Sequence, residues 1–336
     1  MPKLAIKLGL IIVICISLTA LFFYRDYQQF KQTPLTLSEP QIIIIAPGSS
    51  FDTVNQALLE RGLLDNSLYM RLLAGESGHA TRLKAGEYDI APGVTPTSLL
   101  DLLVSGQVRQ YSLTLVEGWN IREVLAALEQ DPVLIKTLDY SQTDKLMANL
   151  GFESQSPEGL FFPDTYYFPR GTTDKEFLKR AYQRLQSVLQ EEWSNRAENL
   201  PYNTPYEALI MASIVEKETG LASERDTIAG VFVRRLEKNM KLQTDPTVIY
   251  AMGLQFDGNI RKKDLNIDSP HNTYRYRGLP PTPIALAGRE AIHAALNPEP
   301  GKALYFVSKG DGSHYFSETL QEHNRAVAKY QLKKSQ

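Results

Sequence analysis

The chain has 336 residues, 43% of them apolar and 22% charged, and 36 basic against 38 acidic side chains give a formal net charge of −2. That length suits two modest domains plus an anchor, because single cores stop growing at about 250–300 residues. The charge balance excludes a strong field for DNA or RNA, so no nucleic-acid partner is expected.

Cys15 is the only cysteine, which rules out a disulfide framework or a cysteine-ligated metal in the rest of the chain. His79, His271, His293, His314 and His323 are scattered and form no HExxH spacing, which argues against a zinc hydrolase.

From Leu8 to Tyr24 run 17 residues without a charge, near the roughly 20 apolar residues that span a bilayer as a helix. The run ends in Leu21-Phe-Phe-Tyr24 and offers no A-x-A-like cleavage site, so it reads as an uncleaved anchor. Val13-Ile14 before Cys15 do not make a lipoprotein signal. We therefore expect a tail at 1–7, a transmembrane helix at 8–24 and a polar stalk at 25–40, which carries Pro34 and Pro40. Lys3 and Lys7 before the span are matched by Arg25 and Lys31 after it, so the positive-inside rule leaves orientation open.

Gln41–Ile45 is a β-branched strand running into Ala46-Pro-Gly48, and Ser49 or Ser50 can cap a helix from Phe51 that stops before Gly62. The same order returns at 87–90, with Ala91-Pro-Gly93 and a helix over about 97–104 before Gly106. A looser copy has a strand at 112–116 and a helix over about 121–128; a short helix at 67–73 separates the first two copies. Units so few and so uneven predict a small α+β module and no solenoid. Either Pro-Gly merely punctuates turns here, or residues 41–112 form a sugar- or wall-binding module resembling LysM.

Leu160–Phe168 is dense in aromatics, which both fill cores and stack on sugars; for most of them the core role is expected. A long helix follows over about 174–197, then another over 206–219 closed by Gly220. Two carboxylates end this second helix. Glu218 follows Met211, Ile214 and Val215 by seven, four and three residues, inside the bulky apolar stripe, while Glu216 falls above Ala212 and Ser213 on the flank. Burial would raise the pKa of Glu218, as a general acid near neutrality requires. Equally, Glu218 could be a structural partner of an arginine such as Arg225 or Arg234.

The string Ala212-Ser-Ile-Val-Glu-Lys-Glu-Thr219, with Ser223-Glu-Arg-Asp226, Val231–Leu236 and Leu242-Gln-Thr-Asp-Pro-Thr-Val-Ile-Tyr250, resembles the YceG-like endolytic murein transglycosylases. Leu115–Gly118, Glu158–Thr165, Asn272–Tyr274, Gly278–Pro281, Leu304–Phe306 and Gly312–Phe316 extend the likeness to about Asn324. The run Pro283-Ile-Ala-Leu-Ala-Gly288 departs from the family's usual Pro-Ile-Ala-Asn-Pro-Gly-like loop.

The resemblance implies an α+β protein with an N-terminal transmembrane helix, a LysM-like subdomain at 41–112 and a larger mixed α/β catalytic domain at 113–336. It would be held in the inner membrane by a single pass, with that domain in the periplasm. The implied reaction cuts the MurNAc–GlcNAc β-1,4 bond of peptidoglycan glycan strands without water, leaving 1,6-anhydroMurNAc ends and terminating nascent strands. Peptidoglycan synthases would be partners.

Glu218 would act alone as acid and then base, with the sugar's own C6 hydroxyl as nucleophile, so no cofactor, metal or second carboxylate is implied. Glu216, Gln243, Thr244, Asp245, Asn272 and Tyr274 are candidate sugar contacts, and Glu216 could instead tune Glu218. For His314 a structural hydrogen bond is expected. Two rivals stand: a lysozyme-like hydrolase using Glu224, Asp226 or Asp245 as second carboxylate, and a non-catalytic wall-binding scaffold.

Overall fold

Apolar side chains recur on every turn from Leu4 to Tyr24. In the computed structural model, which describes residues 2–153 and 155–332, they belong to a 31-residue helix, α1 (Pro2–Gln32). Its stretch Ile6–Gln32 is long and apolar enough to cross a membrane. At 1.5 Å per residue it measures about 40 Å, longer than a hydrocarbon core of about 30 Å. Residues 25–32, expected to begin a stalk, continue the helix, because Tyr27 and Phe30 pack against the first hydrophobic core. Polar bonds reinforce that packing: the Tyr27 hydroxyl donates to Glu76 at 2.6 Å, and the Tyr69 hydroxyl to Asp26 at 2.8 Å. Leu35, further along the expected stalk, is itself part of that core.

The chain divides into two compact units, Met1–Tyr111 and Ser112–Gln336. After α1 the first unit runs β1 (Gln41–Ile45), α2 (Phe51–Glu60), α3 (Ser67–Glu76), β2 (Gly86–Ile90) and α4 (Pro96–Ser105). Ser50 caps α2 by accepting from the Thr53 N–H at 3.1 Å, and Thr95 with Ser98 caps α4, which has Pro96 at its first position. The two strands are antiparallel, with Ile43 opposite Tyr88. Alternation along β1 turns Ile43 and Ile45 inward onto Leu58, Met70, Tyr88 and Leu99, while Ile42 and Ile44 face out.

Next come β3 (Tyr111–Thr114), α5 (Ile121–Gln130), α6 (Leu146–Leu150), β4 (Thr165–Phe168), α7 (Asp174–Ser194), α8 (Pro205–Glu218), α9 (Arg225–Glu237), α10 (Asp245–Met252), α11 (Arg289–Leu296), β5 (Tyr305–Ser308), β6 (His314–Ser317) and α12 (Leu320–Val327). A π turn, Ala328–Leu332, continues α12. β3 pairs with β4 and β5 with β6, so the second unit is mostly helical with two two-stranded ladders among the described residues. The fold is mixed α+β.

Helix α8 is the hub, packed by α7, α9, α10 and α11. Every residue from Ala208 to Val215 is buried. From the aromatic run, Phe161, Phe162 and Phe168 are core, while Tyr167 is exposed. Helix α7 stops at Ser194, three residues short of the expected end, and Asn195 takes the cap position.

Candidate functional site

Burial of α8 on all sides changes the argument from helical spacing. With Ala208 through Val215 enclosed, no single apolar stripe distinguishes Glu218 from Glu216. Glu218 is the last helical residue, and the cap is Thr219 in an extended conformation (φ −144°, ψ 133°), not Gly220 as the sequence suggested. What separates the two glutamates is what each meets beyond the helix.

Glu216 accepts the Gly288 N–H at 3.0 Å, and burial pushes its pKa up. The Glu117 carboxylate lies 2.0 Å from where a Cβ at Gly288 would sit, so any larger residue there would push that side chain aside. The 283–288 run is also tied to α8 by Ser213 Oγ, which accepts the Ile284 N–H at 3.0 Å. Glu216 therefore anchors a loop and is absent from the cavity described next.

Glu218 lines a cavity of about 530 Å³, within the range of small-ligand sites. Its carboxyl opens on that space but is otherwise enclosed, and desolvation raises its pKa to about 7. The charge of Asp245 pushes in the same direction; the Thr244 hydrogen bond and the positive charges of Arg235 and of a protonated His314 oppose it. The C-terminal carbonyls of α8 add negative potential, which also favours the neutral acid. Neither arginine considered as a structural partner pairs with it: Arg234 donates to the carbonyls of Ala303 and Glu299, at 2.8 and 2.9 Å, and Arg225 acts on Glu216.

Thr244 explains how α10 serves the site. It occupies the N-cap position, yet its hydroxyl makes no cap bond and donates instead to Glu218 Oε2 at 2.7 Å. A cap of this type contributes about 0.5–2 kcal/mol to a helix, so local stability yields to the position of one carboxyl. A buried threonine knot compensates. The Thr244 N–H donates to Thr273 Oγ1 at 3.1 Å, and Thr247 donates to the Thr244 carbonyl at 2.7 Å. Gln243 just before it has φ of +49°, an uncommon conformation for a residue with a side chain, with its N–H on the Thr273 carbonyl at 3.2 Å.

Of the other expected contacts, Gln243, Asp245 and Tyr274 line the cavity. The Tyr274 hydroxyl donates to Asp245 at 2.5 Å. Asn272 does not reach the cavity. It is fully buried, with its amide on the carbonyls of Leu265 and Ile267 and its oxygen accepting the Tyr274 N–H, so it shapes the loop that presents Tyr274. His314 has the expected hydrogen bond, from Nδ1 to Glu224 at 2.7 Å, but it also lines the cavity. Glu224, a candidate second carboxylate, is thereby engaged, and neither it nor Asp226 lines the space.

Other wall residues were not among the expected contacts. Arg235 lies in the wall with Nε on the Leu304 carbonyl and Nη1 on that of Leu242, both at 2.6 Å, and burial pulls its pKa down. Tyr305 and His323 stack at 5.3 Å beside it. Helix α12 and the π turn close one side through Leu320, Asn324, Val327 and Gln331. Arginine in an Arg-Arg pair on a helix carries no local signal of this role; its contact with Leu304 joins residues 69 apart.

Comparison with known proteins places these residues in context. The sequence pattern of the YceG-like family matches residues 43–329. A Bacillus subtilis protein named endolytic murein transglycosylase is 32% identical, over 86% of this chain and 84% of its own length. A protein of the same name from Streptococcus pneumoniae is 27% identical over 92% of this chain, which spans 62% of that relative. The crystal structure of a YceG-like protein from Listeria monocytogenes aligns with a TM-score of 0.54 at 28% identity, covering 86% of this chain and 99% of the other.

Proposed function

This chain belongs to the YceG-like family, and from that premise we propose that it is a peptidoglycan lytic transglycosylase in which Glu218 is the acid. One observation carries the residue assignment: Glu218 is an enclosed carboxyl that lines the cavity, where burial raises its pKa to about 7. The acid gives its proton to the glycosidic oxygen leaving MurNAc C1, in an oxocarbenium-like transition state. The C6 hydroxyl of the same sugar then closes the 1,6-anhydro ring and gives up its proton to a base. Tethering makes this attack favourable against water. Asp245, held by Tyr274, adds a negative charge that keeps Glu218 protonated and faces the developing cation.

In this reading α1 holds the protein in the inner membrane by a single pass, with the second unit in the periplasm among nascent strands and their synthases. Residues 41–112 would bind the wall as a LysM-like module, a role supported by antiparallel strands that pair across two intervening helices.

A second reading, hydrolysis, draws on the same Asp245, the other carboxylate among the described residues lining the cavity. Mass spectrometry of the products from purified sacculi distinguishes the two. Ends one water lighter than reducing ends are expected, and exclusively reducing ends would overturn the lytic reading.

A further inference from the structure

Closing an anhydro ring requires two proton movements: one onto the leaving oxygen and one off the C6 hydroxyl. Glu218 supplies the first. A second group in the same cavity is built for the other.

His314 lines the cavity with Glu218. Three constraints hold its ring. Its Nδ1 lies 2.7 Å from Glu224 Oε2, its own N–H donates to Glu224 Oε1 at 3.0 Å, and Phe306 packs edge-on at 5.4 Å. Glu224 sits just before α9, six residues past Glu218, so the loop leaving the acid is the one that grips the histidine. In the neutral ring, an Nδ1–H given to the Glu224 carboxylate leaves the lone pair on Nε2. That nitrogen has no hydrogen-bond partner among the described residues, and it is not a buried atom. A carboxylate that orients a cavity-lining histidine whose other nitrogen is unpaired is a general-base arrangement.

We propose that His314, oriented by Glu224, is a second catalytic residue that takes the C6 hydroxyl proton. This rests on the transglycosylase reading above. Glu218 gives its proton to the departing glycosidic oxygen, and the C1–O bond breaks with its electron pair on that oxygen. The C6 oxygen forms its bond to C1 while its proton passes to His314 Nε2. The imidazolium then returns one proton to the Glu218 carboxylate. No water is consumed, and both groups end as they began. The pairing also favours the ring-closed product, because the base draws on the sugar's own hydroxyl.

The test uses the full chain in detergent with purified sacculi. His314→Ala is expected to lower kcat at least about tenfold with KM little changed, to reduce the share of anhydro ends relative to reducing ends, and to regain rate with added imidazole. His314→Gln, which keeps a donor for Glu224, serves if the alanine variant does not fold, with the same fall in kcat and in anhydro share expected. Unchanged kcat overturns the assignment. So does a reduced kcat with an unchanged product ratio and no imidazole response, which marks His314 as a pin for the hairpin alone. Glu218→Gln is run alongside: abolished cleavage there confines either failure to His314, whereas retained cleavage overturns the reading beneath it.

Discussion

Two glutamates in the second unit share one electrostatic condition and differ in everything around it. Burial raises both Glu218 and Glu158 to about 7. Glu158 is 2% exposed; one oxygen accepts the Ile121 N–H at the start of α5 at 3.0 Å, and the other accepts the Tyr250 hydroxyl at 3.1 Å. Every bond it makes joins parts of the fold. Glu218 has one such bond, from Thr244, and the rest of its carboxyl meets the cavity. A retained proton is therefore not a mark of catalysis by itself. Access is what converts a costly buried acid into a reagent.

The largest effect expected from breaking this comparison is on turnover. Glu218→Gln should lower glycan cleavage by about 10²–10⁴-fold with folding intact, whereas Glu158→Gln should leave kcat within a few-fold. Comparable losses in both, measured by muropeptide release at matched thermal stability, would dissolve the distinction.

Stability against pH should unite what activity separates. Each folded pKa lies above the solvated value of 4.5, so the folded chain binds the proton more tightly. The associated stability is full below about 4.5 and is lost as pH rises through about 7. For enclosed Glu158 the loss is on the order of 1–3 kcal/mol. Thermal melts from pH 5 to pH 8 should fall in the wild type and fall less steeply in Glu158→Gln; parallel slopes would contradict its burial as the cause.

Smaller effects should move the alkaline limb of activity in opposite directions. That limb follows loss of the Glu218 proton, so activity declines as pH rises through about 7. Asp245→Asn removes a charge that holds the proton on and should shift the limb to lower pH. Thr244→Val removes a hydrogen bond to the carboxylate and should shift it to higher pH by less than about one unit, with about 1 kcal/mol of stability changed. Shifts of the same sign, in kcat profiles measured with soluble glycan strands, would mean that neither neighbour acts through Glu218.

Much of the secondary structure was legible because its causes are local. The β-branched run at Gln41–Ile45 became β1 with the expected bounds, and Ser50 capped α2 as its position suggested. The element boundaries that moved did so for tertiary reasons: α1 runs on to Gln32 because Tyr27 and Phe30 have a core to pack on. Gly220 after the helical run suggests a glycine cap, yet α8 ends at Glu218 with Thr219 in the cap position.

The candidate site divides along the same line. Sequence by itself determined the family, the helix that ends in Glu-Lys-Glu and the candidacy of Glu218, since these depend on residue type and spacing. Tertiary structure decided which glutamate faces a cavity, that Thr244 turns from its cap to Glu218, and that Asn272 is a loop organiser. It also joined Glu224 to His314 across 90 residues. Helical periodicity reports which face of α8 is apolar only when one face is wet, and here the core encloses them all. Desolvation and cavity access depend on atoms brought from distant segments, so no local pattern encodes them.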